Sequence, residues 1–284
     1  MSAHATGRRH DAIGGVPGFV PWLLAPALAT MLVPFLWMLF LSLQPGAGGQ
    51  LDASQLKHAK FDLVHYRDLL SAGAFPRYLL NSIIVALAVV FGNVLTGAMV
   101  GYALARKRFP GNRALTWGVI ATLMVPKQVL MIPLYLVLAK LGWLDSYAAL
   151  ILPFFVDAFS IFLVRQYVLA LPAELEDAAR VDGASELRIF ATIVLPLLRP
   201  ALAVVAINGF LLNWNSFLFP LIFTNSDALR TLPVGLALFA QGEHATDWGL
   251  LMAGSTISVL PMLAAFLIFQ RQILEGMTAG AEKG

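Results

Sequence analysis

Long apolar runs alternate with short polar breaks along the chain, and the run lengths predict its elements. A helix of about 20 apolar residues crosses the hydrocarbon core of a bilayer. Residues 19–43 meet that length despite Pro21, Pro26 and Pro34, and predict a first spanning helix that is retained rather than cleaved. Residues 44–77 are polar but carry an amphipathic stretch at 61–70, which suits a helix lying over the others on the outer side. Further spans are predicted at about 79–104, 114–139, 148–170, 200–223 and 248–269. The third must continue past Pro126, where a missing N–H predicts a kink. Residues 225–247 read as an external connection. The chain thus divides into a tail at 1–18, with 1–16 expected to be poorly ordered, a first helix and external loop at 19–76, a five-helix core at 77–270 and a C-terminal tail at 271–284.

Composition agrees with the pattern. Hydrophobic residues make up 59% of the chain and charged residues 12%, where soluble domains carry about 25% charged residues. The expectation is an all-α integral membrane protein with six transmembrane helices. A net charge of +3, dispersed along the chain, gives no case for nucleic acid. The basic residues speak to topology instead. Twelve lie in the N-terminal tail, the 106–113 turn, the 165–199 region and the C-terminus, against seven elsewhere, which predicts that both termini are cytoplasmic. With no cysteine there is neither disulfide nor thiolate chemistry, and the five scattered histidines predict no metal site.

One polar island interrupts the apolar pattern, at 171–200. Pro172 opens a helix whose first turns carry Glu174, Glu176 and Asp177, favourable at the positive end of a helix dipole. Gly183 suits the left-handed residue that ends a helix, and Ser185 with Glu186 behind it suits the cap of a second one running into Pro196. Ala178 and Ala179 leave one side of the first helix nearly bare, so another surface can approach its backbone beside Asp177.

The spacing Asp177-Ala178-Ala179, three residues, Gly183, nine residues, then Ile193-Val194-Leu195-Pro196 resembles the EAA loop of binding-protein-dependent ABC importer permeases. Here Asp177 stands where the motif has Glu. The stretches at 124–135 and 231–239 and the Met277-Thr278-Ala279-Gly280 tail are similar to the carbohydrate-uptake branch, the maltose and glycerol-phosphate type. The resemblance, over roughly 75–284, implies the type I ABC importer permease fold. It also implies a coupling loop at 171–198, with Glu176, Asp177, Ala178, Ala179, Gly183, Ile193, Leu195 and Pro196 facing a separate ATPase. The implied partners are a second permease subunit, an ATP-binding cassette ATPase dimer and an external solute-binding protein. No cofactor is expected on this chain: it has no G-x-x-x-x-G-K-[ST] phosphate loop, so ATP belongs to the partner ATPase.

Polar residues inside the apolar runs are the candidates for a translocation pathway. Lys127 falls midway along the third span, where a cation costs about 2.5–3.5 kcal/mol unless it meets water or a partner. It either pairs with Asp157 of the fourth span or lines a pathway. Asn208 and Asn215, seven residues apart, share a face of the fifth span, and Trp214 supplies an aromatic ring for a sugar. The same asparagines also suit interhelical bonding. An ion-coupled secondary carrier is the alternative function; it calls for internal repeats and more intramembrane charge than Lys127 and Asp157 provide. No G-x-S-x-G or comparable constellation suggests an enzyme.

Overall fold

The computed structural model describes residues 20–45, 60–71, 73–240 and 247–281, so the expected tail at 1–18 and parts of both expected outer connections lie outside the described residues. Helix α1 (Val20–Ser42) runs through Pro26 and Pro34, and its side chains at 24–36 are exposed, as suits a helix facing lipid. The amphipathic stretch forms α2 (Val64–Ser71), which buries His65 and Leu69, four residues apart on one face. His65 Nε2 lies 2.9 Å from the Gln44 carbonyl, and Tyr66 and Ser42 share a hydroxyl bond of 2.7 Å.

The axis of the molecule is α3 (Ala74–Arg106), whose 33 residues span about 50 Å at a rise of about 1.5 Å per residue. Lipid tails are as apolar as leucine, so helices in a membrane associate by close packing, and small residues permit it. On α3 those residues are glycines. A Cβ on Gly101 would sit 2.9 Å from Val164 Cβ and 3.0 Å from Arg165 N, and one on Gly97 would sit 3.3 Å from the Ser160 backbone. Their bare surface seats α7 (Ala158–Ala170), with Val164 and Val168 fully buried.

The third span departs from the expected kink. Helix α4 (Asn112–Leu123) stops, a 3-10 turn (Lys127–Leu130) leads into α5 (Met131–Lys140), and the two halves meet at 98°. Pro126 is extended, at φ −60° and ψ 128°. Proline has no N–H to continue the ladder and disfavours helix in the residue before it, so here the helix ends and restarts. The fourth span is also interrupted: α6 (Tyr147–Ile151) and a 3-10 turn (Leu152–Phe154) give way to open chain before Asp157 caps α7.

After α7 come α8 (Glu174–Val181) and α9 (Glu186–Ile189), which runs through a π turn (Phe190–Val194) into α10 (Leu195–Leu197). Next is α11 (Arg199–Trp214), bent 72° from the preceding helical run. The expected fifth span to 223 is corrected: α11 ends at Trp214, and helix resumes only as α12 (Leu218–Phe223). Pro220 has no N–H for the Ser216 carbonyl four residues back, and side-chain amides of Asn213 and Asn215 occupy the carbonyls of Gly209 and Leu211.

The expected external connection contains a helix, α13 (Leu232–Phe239), fastened to α3. Ser82 Oγ accepts from Leu232 N at 2.7 Å, and Asn81 Nδ2 donates to the carbonyls of Ala228 and Arg230 at 2.9 Å each. The last helix, α14 (Trp248–Ala281), extends beyond the expected end at 269, because Gln, Arg, Ile, Leu, Glu and Met at 270–277 continue a helix readily. Among the described residues four helical stretches, the interrupted fourth span included, are long and apolar enough to cross a membrane, and counting each bent pair as one span brings the number to six.

Candidate functional site

The breaks in the third, fourth and fifth spans meet around a cavity. Two adjoining hollows of about 440 and 640 Å³ share Lys127, Phe154, Asp157, Asn208, Leu212 and Phe219, within the ~300–1,000 Å³ typical of small-molecule sites. The smaller adds Asn93, Gln128, Asn213, Asn215 and Ser216, and is the polar one. The larger is walled mainly by Leu, Val, Pro and Phe side chains.

Lys127 and Asp157 pair with each other and also line the cavity. Nζ donates to Asp157 Oδ1 at 3.0 Å, and both residues line both hollows. The carboxylate's other oxygen accepts from Ser160 N and Ser160 Oγ, each at 3.1 Å, so the N-cap of α7 holds it in place. The lysine side chain is 57% exposed and the aspartate 14%, which makes Asp157 the fixed partner. Asn208 and Asn215 also line the polar hollow. Trp214 does not join them. Its ring is buried at 3% exposure, stacks on Phe210 at 5.4 Å and donates from Nε1 to the Ser258 carbonyl at 3.0 Å. One residue's step, a rotation of about 100° at 3.6 residues per turn, separates it from Asn215 and turns it to the face that α14 covers.

The polar island folds into a compact loop. Gly183 takes φ +81°, and its N–H donates to the Arg180 carbonyl at 3.0 Å while Ala184 N donates to Ala179 O at 2.9 Å. These two bonds are a Schellman motif, and the paired contact of Ala179 and Ala184 faces the core. Ser185 Oγ accepts from Arg188 N at 3.4 Å and opens the second helix. Asp177, Ala178, Gly183 and Pro196 are exposed, while Ala179, Ile193 and Leu195 are half-buried.

Glu176 occupies a different position from its neighbour. It is 4% exposed and accepts from Arg106 Nε at 2.7 Å, Tyr102 Oη at 2.9 Å and Arg180 Nη2 at 3.3 Å. Arg106 also donates from Nη2 to the Leu171 carbonyl at 2.7 Å, so the end of α3 clamps both ends of the bend into α8. Glu176 is therefore an anchor beneath the loop rather than part of its outer face. Arg180 crosses the bend to Glu186 at 2.9 Å and to Asp177 at 2.6 Å, and those bonds raise its already high pKa. Glu186 reaches Lys107 in turn.

Sequence reasoning missed the most exposed apolar residues of the loop, Val181 at 88% and Leu187 at 77%. The available signal was an apolar side chain on each short, charged helix. It also missed Asn93, whose polarity inside a long apolar helix was the clue.

Loop and cavity share their struts. Helix α7 joins Asp157 on the cavity wall to Leu171 at the loop, 13 helical residues or about 20 Å. Helix α11 runs from the other end of the loop to Asn208 and Asn213. Two walls of the cavity are thus continuous with helices that end at the loop.

Residues 94–278 match the family described as binding-protein-dependent transport system inner membrane component. The trehalose/maltose transport system permease protein MalG of Thermococcus litoralis is 38% identical over 258 residues, covering 89% of this chain and 92% of that protein. The sn-glycerol-3-phosphate transport system permease protein UgpE of Pectobacterium atrosepticum is 38% identical over 204 residues, covering 72% and 73%. A solved bacterial ABC transporter involved in the import of the acidic polysaccharide alginate superposes with a TM-score of 0.76 at 22% identity, over 89% of this chain and 95% of that one; this likeness establishes the fold.

Proposed function

Since the chain belongs to the binding-protein-dependent transport system inner membrane components, and is therefore an inner-membrane permease subunit of such an importer rather than an enzyme, we propose that the Lys127–Asp157 cavity is its share of the translocation pathway. The solute is a sugar or a related polyol or glycerol phosphate, as the names of the trehalose/maltose and glycerol-3-phosphate relatives suggest. A second permease subunit completes the pathway, and an ATPase dimer docks on the 171–198 loop from the cytoplasm, where the basic bias also puts both termini. Val181, Leu187 and Asp177 form the outer face of that docking surface, with Gly183 setting the angle between its helices.

One observation carries the reading: the two helices that leave the loop, α7 and α11, end at the residues that wall the cavity. ATP-driven movement of the loop then opens and closes the cavity without any catalytic group on this chain. The polar hollow offers amides for hydroxyl groups, and the apolar hollow offers surface for the carbon face of a sugar ring. The test is reconstitution with the partner subunits in proteoliposomes. Solute uptake that needs ATP, solute-binding protein and an intact loop is expected, with no ATP hydrolysis by the purified chain alone. Uptake driven by an ion gradient in the absence of the ATPase would replace this reading with the secondary carrier.

A further inference from the structure

The polar hollow has a chemical bias. Asn93 Nδ2 donates to the Val89 carbonyl at 2.9 Å, Asn213 Nδ2 to Gly209 O at 2.8 Å and Asn215 Nδ2 to Leu211 O at 2.8 Å. Each amide spends a donor on the carbonyl four residues back in its own helix. That bond fixes which way the amide is turned, because a carbonyl accepts from nitrogen and not from oxygen. What remains at each position is one N–H and the amide oxygen, an acceptor. At Asn93 it is a buried acceptor with no hydrogen-bond partner, on a residue only 2% exposed that lines the hollow. A buried polar group is normally paired, so an unpaired acceptor just beneath the cavity wall leaves an unmet demand for a donor. Among the described residues of the wall the one cation, Lys127, is already committed to Asp157 at 3.0 Å, and Asp157 is locked by Ser160.

We propose that this cavity is a charge filter. It admits neutral polyhydroxylated solutes and rejects phosphorylated or carboxylated ones, and Asp157 is the residue that sets the choice, by cancelling the charge of Lys127. Hydroxyl groups both donate to the asparagine oxygens and accept from the remaining N–H groups, whereas phosphate and carboxylate oxygens only accept and bring a negative charge that the paired Lys127 does not offset. Without Asp157, Lys127 would present a free ammonium to the same space and select anions. The inference rests on the cavity being the pathway, and within that reading it chooses sugars and polyols over glycerol phosphate.

The test uses the assembled importer without its solute-binding protein, in lipid nanodiscs, and equilibrium binding of two probes that differ only in a phosphoryl group, maltose and maltose 6′-phosphate. Wild type should favour maltose. Asp157→Asn should move the ratio toward the phosphorylated probe by about tenfold or more, the effect of one uncancelled charge at a few ångströms in a medium of intermediate dielectric. Asp157→Asn combined with Lys127→Met should return the preference to maltose. Lys127→Gln, which strands the carboxylate, should deepen rejection of the phosphate and serves if Asp157→Asn does not assemble. An unmoved ratio in Asp157→Asn or in Lys127→Gln, or a wild-type preference for the phosphate, would overturn the filter alone. Absence of saturable binding of either probe to every protein would overturn the pathway assignment, and the filter with it.

Discussion

Replacing Glu176 separates anchoring from docking. Its carboxylate is 5% exposed and sits against an Arg106 side chain that is 15% exposed, with Tyr102 as a third partner. Glu176→Ala strands the guanidinium of Arg106 in a buried position and removes three accepted hydrogen bonds. Breaking a buried pair from one side costs about 3–5 kcal/mol, because the remaining charge is uncompensated. Arg106 keeps its bond to the Leu171 carbonyl, which points to the lower end of that range. Glu176→Gln keeps the shape and an acceptor for Tyr102 but gives up the charge, and about 1.5–3 kcal/mol is expected, the scale of a hydrogen bond to a charged group. Asp177, by contrast, is 68% exposed and paired only with Arg180, a surface contact worth about 0–1 kcal/mol. The assay is thermal unfolding of the purified permease in detergent, alongside recovery of the partner ATPase. Glu176→Ala should melt clearly lower than Glu176→Gln, and both below wild type, while Asp177→Ala melts like wild type and loses ATPase recovery or coupling. Equal melting of Glu176→Ala and wild type would refute the anchor, and a larger stability loss in Asp177→Ala would reverse the roles.

Other outcomes follow from the same geometry. Gly183→Val puts a β-branched residue at φ +81°, a conformation that costs an L-residue about 1–2 kcal/mol or more; uptake should collapse at permease abundance near wild type, as read by transport against immunoblotting. Gly101→Leu should remove most folded protein from the membrane, because even its Cβ would meet Val164 Cβ at 2.9 Å, and size-exclusion profiles of solubilised membranes would show the loss. Asp145 accepts from Ser226 N at 3.0 Å and Asn225 N at 2.9 Å, and these bonds hold its carboxyl below the ordinary value of 3.8. A lowered folded pKa means stabilisation that is complete above the ordinary value and lost as pH falls through the folded one. Asp145→Asn should therefore lower the melting midpoint at neutral pH, with the gap from wild type closing only below pH 3.8.

The loop was the most legible part of the chain, because its devices are local. A glycine at the end of a short helix and a serine before the next one dictate a Schellman bend and a cap with little help from the rest of the molecule. The spans were legible as lengths of apolar sequence but not as shapes. Pro126 predicts a disturbance, yet whether a proline kinks a helix or ends it depends on what receives the freed backbone, and at the 98° turn Lys127 is held by Asp157 of the next span. The break after Trp214 has a similar cause, while helical phase put Trp214 itself in the core, where Phe210 and Ser258 receive it, rather than on the supposed pathway. Asn208 and Asn215 stood out as polar residues on one face, but Asn93 joins them only because α3 and α11 pack together. Adjacent carboxylates at 176 and 177 read alike in sequence. Helical phase alone turned one toward Arg106 and left the other in solvent.

The central claim is that the loop and the cavity move as one. The natural chain has no cysteine, so Gln128→Cys on the cavity wall gives a single reporter whose reaction rate with a small water-soluble thiol reagent can be followed in the reconstituted importer. The rate should change when ATP and vanadate trap the partner ATPase closed, and the change should vanish when Gly183→Val is added. An identical rate with and without nucleotide, or a nucleotide response that survives Gly183→Val at normal assembly, would contradict the account.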